Sequence, residues 1–179
     1  MKKMFVFIIE TVFFCALTYF VFNYMVIPVT INGSSMENTL QDGEVALING
    51  FAIKEENIHR FDVVVADSSL LNEKIIKRVI GLPGDTLKMT DDVLYINGIE
   101  INETYLDTDF INESKLRYNT DIFTENFEIT LLEDEYFLLG DNRLNSTDSR
   151  ILGPFSLKNI IGVGGIVIYP FHEIEWINN

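Results

Sequence analysis

The sequence predicts a mostly-β protein that carries an N-terminal transmembrane helix. Residues 4–27 are almost wholly apolar, and the rest of the chain has the pattern of short strands separated by turns. Residues 92–102 hold an Asn-Gly pair between two alternating runs, which is typical of a tight β-hairpin. With 179 residues, the chain has room for one modest domain beside its anchor.

The apolar segment, residues 4–27, would form a helix about 36 Å long, which is enough to cross a bilayer. A proline ends it and no small-residue cleavage site follows, so we expect an anchor rather than a removable leader. A buried core helix is the alternative. Lys2 and Lys3 favour a cytoplasmic N-terminus, residues 1–3, which places residues 28–179 outside the plasma membrane, beside its lipid.

After the anchor the chain is expected to form a compact β core. Residues 86–134 are expected as a smaller inserted lobe, in which residues 103–130 carry no pattern that assigns them. Strands are expected at residues 26–32, 43–48, 61–66, 74–80, 92–102, 135–139 and 161–169, and helical turns at 36–40 and 156–160.

Composition excludes several classes of function. A formal net charge of -14 argues against a nucleic-acid partner, because a phosphate backbone is bound by clustered Lys and Arg. The single cysteine, Cys15, lies in the apolar segment, so no disulfide or cysteine-based metal site is expected. His59 and His172 follow no ligand spacing and are expected to be ordinary residues. We therefore expect neither a metal nor another cofactor.

Residues 74–80 predict a strand that carries two adjacent cations, Lys77 and Arg78. Both faces of this strand are apolar, so at least one of the two points into the protein. A buried arginine needs a partner, whereas burial disfavours the charged form of lysine. Lys77 is therefore a candidate general base. A lysine that snorkels from an edge or pairs with a carboxylate is the alternative.

Residues 32–40 hold a Gly-Ser-Ser-Met turn just beyond the anchor. A serine there becomes a nucleophile if a base removes its proton and nearby donors receive the oxyanion. Glycine beside the serines lets a substrate backbone approach closely. Taken alone, the turn favours a Ser35 that only caps a helix.

Residues 139–150 follow an apolar strand and are rich in small polar side chains, which indicates a hydrogen-bonded loop. Asp148 and Arg150 are placed to form an ion pair, and Ser146 to orient a neutral amine. A solvated turn with Asx caps is the alternative.

Three motifs together resemble the bacterial type I signal peptidases, the membrane-anchored Ser/Lys proteases of peptidase family S26. They are Ser-Met-x-x-Thr-Leu from Ser35, Ile-Lys-Arg-Val-Ile-Gly-Leu-Pro-Gly-Asp at 76–85 and Gly-Asp-Asn-Arg-x-Asn-Ser-x-Asp-Ser-Arg at 140–150. The resemblance runs from the anchor to about Tyr169 and is closest to the Gram-positive type. It implies a signal-peptidase-like β-barrel or sandwich core and removal of signal peptides from exported proteins.

By that resemblance Ser35 is the nucleophile and gives one backbone oxyanion donor, Lys77 is the general base, and Ser146 orients the lysine amine. At the position of a second oxyanion donor in some relatives this chain has Gly33. The supporting residues are Arg78, Asp141, Asn142, Arg143, Asp148 and Arg150.

The resemblance also implies shallow apolar pockets that take the small side chains of an Ala-x-Ala cleavage site. The substrate would add an extended strand beside the serine turn and the lysine strand, and an acyl-enzyme would form. The expected lining residues are Val29, Ile31, Gly33, Met36, Leu40 and Ile76.

The chain departs from the family pattern at three positions. Asn38 replaces the usual proline, which we expect to loosen the serine turn. Phe61 stands where glycine usually precedes Asp62, and Glu44 where aspartate commonly follows glycine.

Two other functions fit parts of the sequence. A Ser/Lys self-cleaving repressor would need a DNA-binding N-terminus, where this chain has an apolar span. A catalytically silent membrane protein that assists surface-protein assembly would not need the serine and lysine that this chain keeps.

Overall fold

The computed structural model describes residues 2–24, 26–51 and 53–177. Helix α1, Lys2–Tyr24, is long and apolar enough to cross a membrane. None of its most apolar stretch, Lys3–Phe20, is buried, so α1 is not a core helix. The helix ends three residues before the end of the apolar segment: Val26 and Ile27 lie in a strand. The proline that follows them disfavours helical backbone at Ile27.

The larger sheet contains eight antiparallel strands. Their order is β1-β2-β11-β3-β4-β9-β10, with β12 paired to β11. The two ends, β1 and β10, do not pair, so the described part of the chain forms an open sheet and not a closed barrel. The strands are β1 Val26–Thr30, β2 Val45–Asn49, β3 Val63–Ser68, β4 Glu73–Gly81, β9 Glu135–Leu139, β10 Phe155–Ser156, β11 Ile160–Tyr169 and β12 Glu175–Ile177.

The smaller sheet has four strands in the order β7-β6-β5-β8. They are β5 Thr86–Thr90, β6 Val93–Ile96, β7 Ile99–Ile101 and β8 Phe127–Thr130. The hairpin between β6 and β7 turns at Asn97 and Gly98, whose φ angles of 52° and 80° are those of a type I′ turn. The hairpin prediction is confirmed.

Helix α2, Thr108–Tyr118, lies between β7 and β8 and was not predicted. The Asp107 side chain caps its first turn by accepting hydrogen bonds from the N–H groups of Asp109 and Phe110. Asn119 ends it in left-handed backbone, with φ 50°. A short helix α3, Ser149–Leu152, begins within the last two residues of the polar loop, residues 140–150.

The core covers both faces of the larger sheet. Side chains alternate along β3, so Val64 and Ala66 join one apolar cluster while Val63 and Val65 join another. A third cluster, which includes Leu87, fills the space between the two sheets. The two sheets are thereby fixed against each other, which matters because residues between β7 and β8 contact the polar loop of the candidate site.

Candidate active site

Lys77 and Ser35 are brought together across 42 residues of sequence. The Nζ of Lys77 donates to the Oγ of Ser35 at 2.8 Å and to the carbonyl oxygen of Ile76 at 2.8 Å. Lys77 is only 3% exposed, so it does not snorkel, and both partners are uncharged. Ser35 is likewise not used as a helix cap, because its hydroxyl meets the lysine. This is the geometry of a nucleophile with its base.

Burial lowers the pKa of Lys77 from 10.5 to about 8, because removal from water disfavours the ammonium form. The carboxylates of Asp148, Asp141 and Glu73 act in the opposite direction. Burial wins, and a substantial fraction of the amine is neutral in mildly alkaline solution. A neutral amine is what a general base requires.

The serine turn is held by its own backbone and by a neighbouring carboxylate. Leu40 N–H donates to the Met36 carbonyl at 2.8 Å, which closes a single helical turn. Gly33 has φ 86°, the left-handed region that favours glycine, and its N–H donates to Asp42 Oδ1 at 2.7 Å. The turn therefore presents Ser35 in a fixed position at its start.

The polar loop, residues 140–150, holds the serine turn by hydrogen bonds. Asn142 donates from its backbone N–H to the Ser35 carbonyl at 3.1 Å and from its side chain to the Ser34 carbonyl at 3.1 Å. Asn145 Nδ2 donates to Ser34 Oγ at 2.7 Å. Gly140 passes so close that an added Cβ would lie 2.5 Å from the Ser35 carbonyl oxygen. Only glycine fits there.

Arg78 is buried as deeply as Lys77, with 1% exposed, so both of these adjacent cations point into the protein. Its guanidinium makes two bonds to Asp141, from Nε to Oδ1 at 2.9 Å and from Nη2 to Oδ2 at 2.7 Å. Nη2 also reaches Thr39 Oγ1 at 3.1 Å, in the serine turn. This pair thus ties together the strand of Lys77, the polar loop and the serine turn.

Asp148 and Arg150 form a second ion pair, with Oδ1 to Nε at 2.9 Å and Oδ2 to Nη2 at 2.8 Å. Burial raises the pKa of Asp148, but the Arg150 guanidinium outweighs it and holds the pKa below its usual value. Asp148 stays ionised at the end of the loop, where it also accepts from the Gly140 N–H at 3.1 Å.

Ser146 lines the same groove as Ser35 and Lys77 but does not hydrogen-bond to Lys77. The lysine amine is directed at Ser35 and the Ile76 carbonyl instead, while Ser146 Oγ is buried against the Cα of Gly140. The expected contact is therefore absent from this structure, and the orienting role of Ser146 stays a prediction.

Arg143 is buried and joins the polar loop to the connection between β7 and β8. It pairs with Glu103, donates to the Tyr105 hydroxyl at 2.9 Å and to Thr124 Oγ1 at 3.2 Å. Burial opposes its charge, but Glu103 outweighs that effect and raises the pKa of the guanidinium. Sequence reasoning missed these three partners, because they lie in the stretch that carries no local pattern.

A groove of about 620 Å³ runs past the two catalytic candidates. Of the expected lining residues, Leu40 is wrong: it is fully buried in the core and borders a separate cavity of about 410 Å³. The groove is lined by the other five, Val29, Ile31, Gly33, Met36 and Ile76, and also by Leu71, Glu73, Leu144, Asn145 and Thr147, which the sequence did not single out.

Two departures from the family pattern adopt left-handed backbone. Asn38 has φ 93°, which proline cannot adopt, and its Nδ2 donates to the Tyr105 carbonyl at 2.9 Å. The Asn38 amide ties the turn to Tyr105, and the expectation that Asn38 loosens the turn stays a prediction. Phe61 has φ 75°, and its carbonyl accepts from Arg78 Nη1 at 2.8 Å. Glu44 is buried and accepts from the Gln41 N–H at 2.8 Å.

Comparison with known proteins places this chain in a family. The profile described as "Signal peptidase, peptidase S26" matches residues 4–169. The chain belongs to the signal peptidase family, peptidase S26. A Signal peptidase I of Bacillus amyloliquefaciens is 40% identical over 155 residues, which cover 86% of this chain and 81% of that protein. Signal peptidase I U of Bacillus subtilis strain 168 is 41% identical, over 83% and 78% of the two chains.

Solved structures agree with this assignment. The crystal structure of a signal peptidase I from Enterococcus faecalis V583 matches with a TM-score of 0.50 and 35% identity, over 59% of this chain and 95% of the other. The resemblance drawn from the three motifs and the assignment as a peptidase are thus confirmed. The mostly-β fold with an N-terminal apolar helix is also confirmed.

Proposed function

We propose that this chain is a serine endopeptidase that removes N-terminal signal peptides from exported preproteins, with Ser35 as nucleophile and Lys77 as general base. The observation that carries the proposal is the 2.8 Å hydrogen bond between Lys77 Nζ and Ser35 Oγ, made by a lysine that is 3% exposed. Family membership supports the reaction class, because the relatives are named Signal peptidase I.

The chemistry follows from that pair. The neutral amine of Lys77 takes the proton of the Ser35 hydroxyl as its Oγ attacks the scissile carbonyl carbon. The backbone N–H of Ser35 faces the developing oxyanion. The lysine then passes its proton to the leaving amine, which frees the mature protein and leaves an ester on Ser35. Water, deprotonated by the same amine, hydrolyses that ester and releases the signal peptide.

The sheet leaves room for an extended substrate. β9 pairs with β4 only from Arg78 onward, so the half of β4 that contains Lys77 has one edge without a described partner. β1 is the end strand of the same sheet. A peptide laid between these edges would hydrogen-bond to both backbones. The groove there is lined by Val29, Ile31 and Ile76, which supports small apolar side chains in an Ala-x-Ala pattern.

The exposed apolar surface of α1 supports a membrane anchor within residues 4–27. We place residues 1–3 in the cytoplasm and the catalytic part, residues 28–179, at the outer face of the plasma membrane, against lipid. Residues 86–134, which contain the smaller sheet and α2, would form the inserted lobe. A C-terminal tag that protease digests on intact cells supports this orientation, and a tag digested only after lysis contradicts it.

The test of the reaction is cleavage of a preprotein in detergent, with products mapped by mass spectrometry. Wild type and Ser69→Ala are expected to cut after the Ala-x-Ala site, whereas Ser35→Ala is expected to leave the preprotein intact. Ser69 is the matched control because it is an exposed serine that does not line the groove. Cleavage by Ser35→Ala at the wild-type rate would contradict the proposal, and a failure of wild type to cleave would favour a non-catalytic role.

A further inference from the structure

Tyr105 contacts each of the three segments that build the candidate site. Its carbonyl oxygen accepts from Asn38 Nδ2 at 2.9 Å, in the serine turn. Its ring lies under the Arg78 guanidinium, with the carbon 4.2 Å from the ring centre, on the strand that holds the lysine. Its hydroxyl accepts from Arg143 Nη2 at 2.9 Å, in the polar loop. Tyr105, which follows β7 in the chain, thus touches all three segments of the site.

Asn38 and Phe61, the two departures from the family pattern that have left-handed backbone, both contact Tyr105. Asn38 binds its carbonyl, and the Phe61 ring packs on its ring with the centres 5.2 Å apart. A phenylalanine adopts a positive φ only where its surroundings hold it there. Here the Phe61 carbonyl accepts from Arg78 and its ring meets Tyr105, so the contacts at this tyrosine hold both unusual backbone conformations.

These contacts lie on the side of β4 away from the groove. Arg78 follows Lys77 on the strand, so their side chains point to opposite faces. Tyr105 and Arg78 line the cavity of about 410 Å³, whereas Lys77 lines the groove. A change at Tyr105 therefore reaches the reacting pair only through the serine turn, β4 and the polar loop, without removing a contact to substrate.

We propose that Tyr105 is a positioning residue that holds Ser35 and Lys77 at reactive distance from behind the strand. This role rests on the proposed function. Misplacing a nucleophile slows the chemical step without weakening substrate binding when the binding groove is untouched. The signature is a slower acylation of Ser35 at nearly constant KM.

The experiment measures acylation in a single turnover, with full-length enzyme in detergent and in excess over preprotein. The enzyme concentration is raised until the first-order rate constant no longer increases, and this limiting value does not depend on the fraction of enzyme that is folded. Tyr105→Leu is expected to lower it about 10- to 100-fold and to leave KM within about twofold. Tyr105→Phe keeps the ring under Arg78 and is expected to recover most of the rate, while both variants keep the backbone carbonyl that accepts from Asn38. Tyr95→Leu, at a tyrosine of β6, is the control and is expected to acylate as wild type does.

Several outcomes would overturn the role. They are a wild-type rate constant in Tyr105→Leu, an equal loss in Tyr95→Leu, or a phenylalanine variant as slow as the leucine variant. If Tyr105→Leu does not fold, Asn38→Asp replaces it, since it keeps the size of the side chain and removes the donor to Tyr105. A wild-type rate in that variant would also overturn the role. A wild-type enzyme that forms no acyl-enzyme would instead overturn the proposed function, and this role with it.

Discussion

The pH dependence of cleavage tests the state of Lys77 directly. Its pKa is lowered from 10.5 to about 8 by burial, so about 9% of the amine is neutral at pH 7. At the ordinary value of 10.5 the neutral fraction would be about 0.03%, so burial supplies about 300-fold more active base at that pH. We therefore expect kcat/KM to rise with pH, with a midpoint near 8, and to level off about one pH unit higher.

Glu73 provides the perturbation. Its carboxylate raises the pKa of Lys77, and the residue is exposed at the edge of the groove. Glu73→Gln is expected to move the midpoint to lower pH, and the move should be largest at low salt because exposed charges are screened. Glu56→Gln, at another exposed carboxylate, is the matched control and is expected to leave the midpoint in place. A wild-type midpoint near 10, or a flat profile, would refute the reasoning.

Three further predictions follow from buried contacts. Lys77→Met removes a buried amine that carries its charge below pH 8, so it should abolish activity yet raise the free energy of unfolding at pH 7, by at most about 3 kcal/mol. Asp141→Ala leaves the Arg78 guanidinium buried and unpaired, so it should lower the free energy of unfolding by about 3 to 5 kcal/mol in urea melts. Gly140→Ala adds a Cβ that would lie 2.5 Å from the Ser35 carbonyl oxygen, so it should cut kcat by about 100-fold.

The direction of the stability change in Lys77→Met follows from linkage. Lys77 loses its proton above a pH of about 8 in the folded protein and above 10.5 in the unfolded chain, so the free energy of unfolding of the wild type rises with pH between these values. A Lys77→Met protein less stable than wild type at pH 7 would contradict it. Asp67→Ala, at an exposed residue of β3, should change stability little. Gly50→Ala should keep activity, since its Cβ approaches the Ile27 side chain and no residue of the site.

Local signals carried much of the fold. Residues 135–139 form β9 as predicted, and the Asn97-Gly98 pair closes its hairpin, because both depend on neighbours in sequence. Helix α2 was missed because its apolar residues lack a sustained period. Its end signals are nonetheless present in the sequence, an aspartate cap at Asp107 and a left-handed Asn119.

The candidate site was likewise predicted only in part from the sequence. The motifs pointed to the Ser35 and Lys77 pair, and the buried lysine followed from the apolar faces of its strand. The burial of Arg78 could not be predicted from the strand, because its partner Asp141 lies 63 residues further along the chain. The contacts of Tyr105 were equally hidden, since they depend on how the smaller sheet packs on the larger one. The contact of Asn38 with Tyr105 was hidden for the same reason, because the two residues lie 67 positions apart in sequence.

The most direct test of the central claim is the location of the acyl group. Wild-type enzyme is mixed with preprotein, quenched in acid, and its peptides are mapped by mass spectrometry. We predict that the signal peptide is attached through an ester to Ser35, that the adduct forms faster as pH rises through 8, and that Ser35→Ala yields none. An adduct on another residue, or normal cleavage by Ser35→Ala, would contradict the assignment of Ser35 and Lys77.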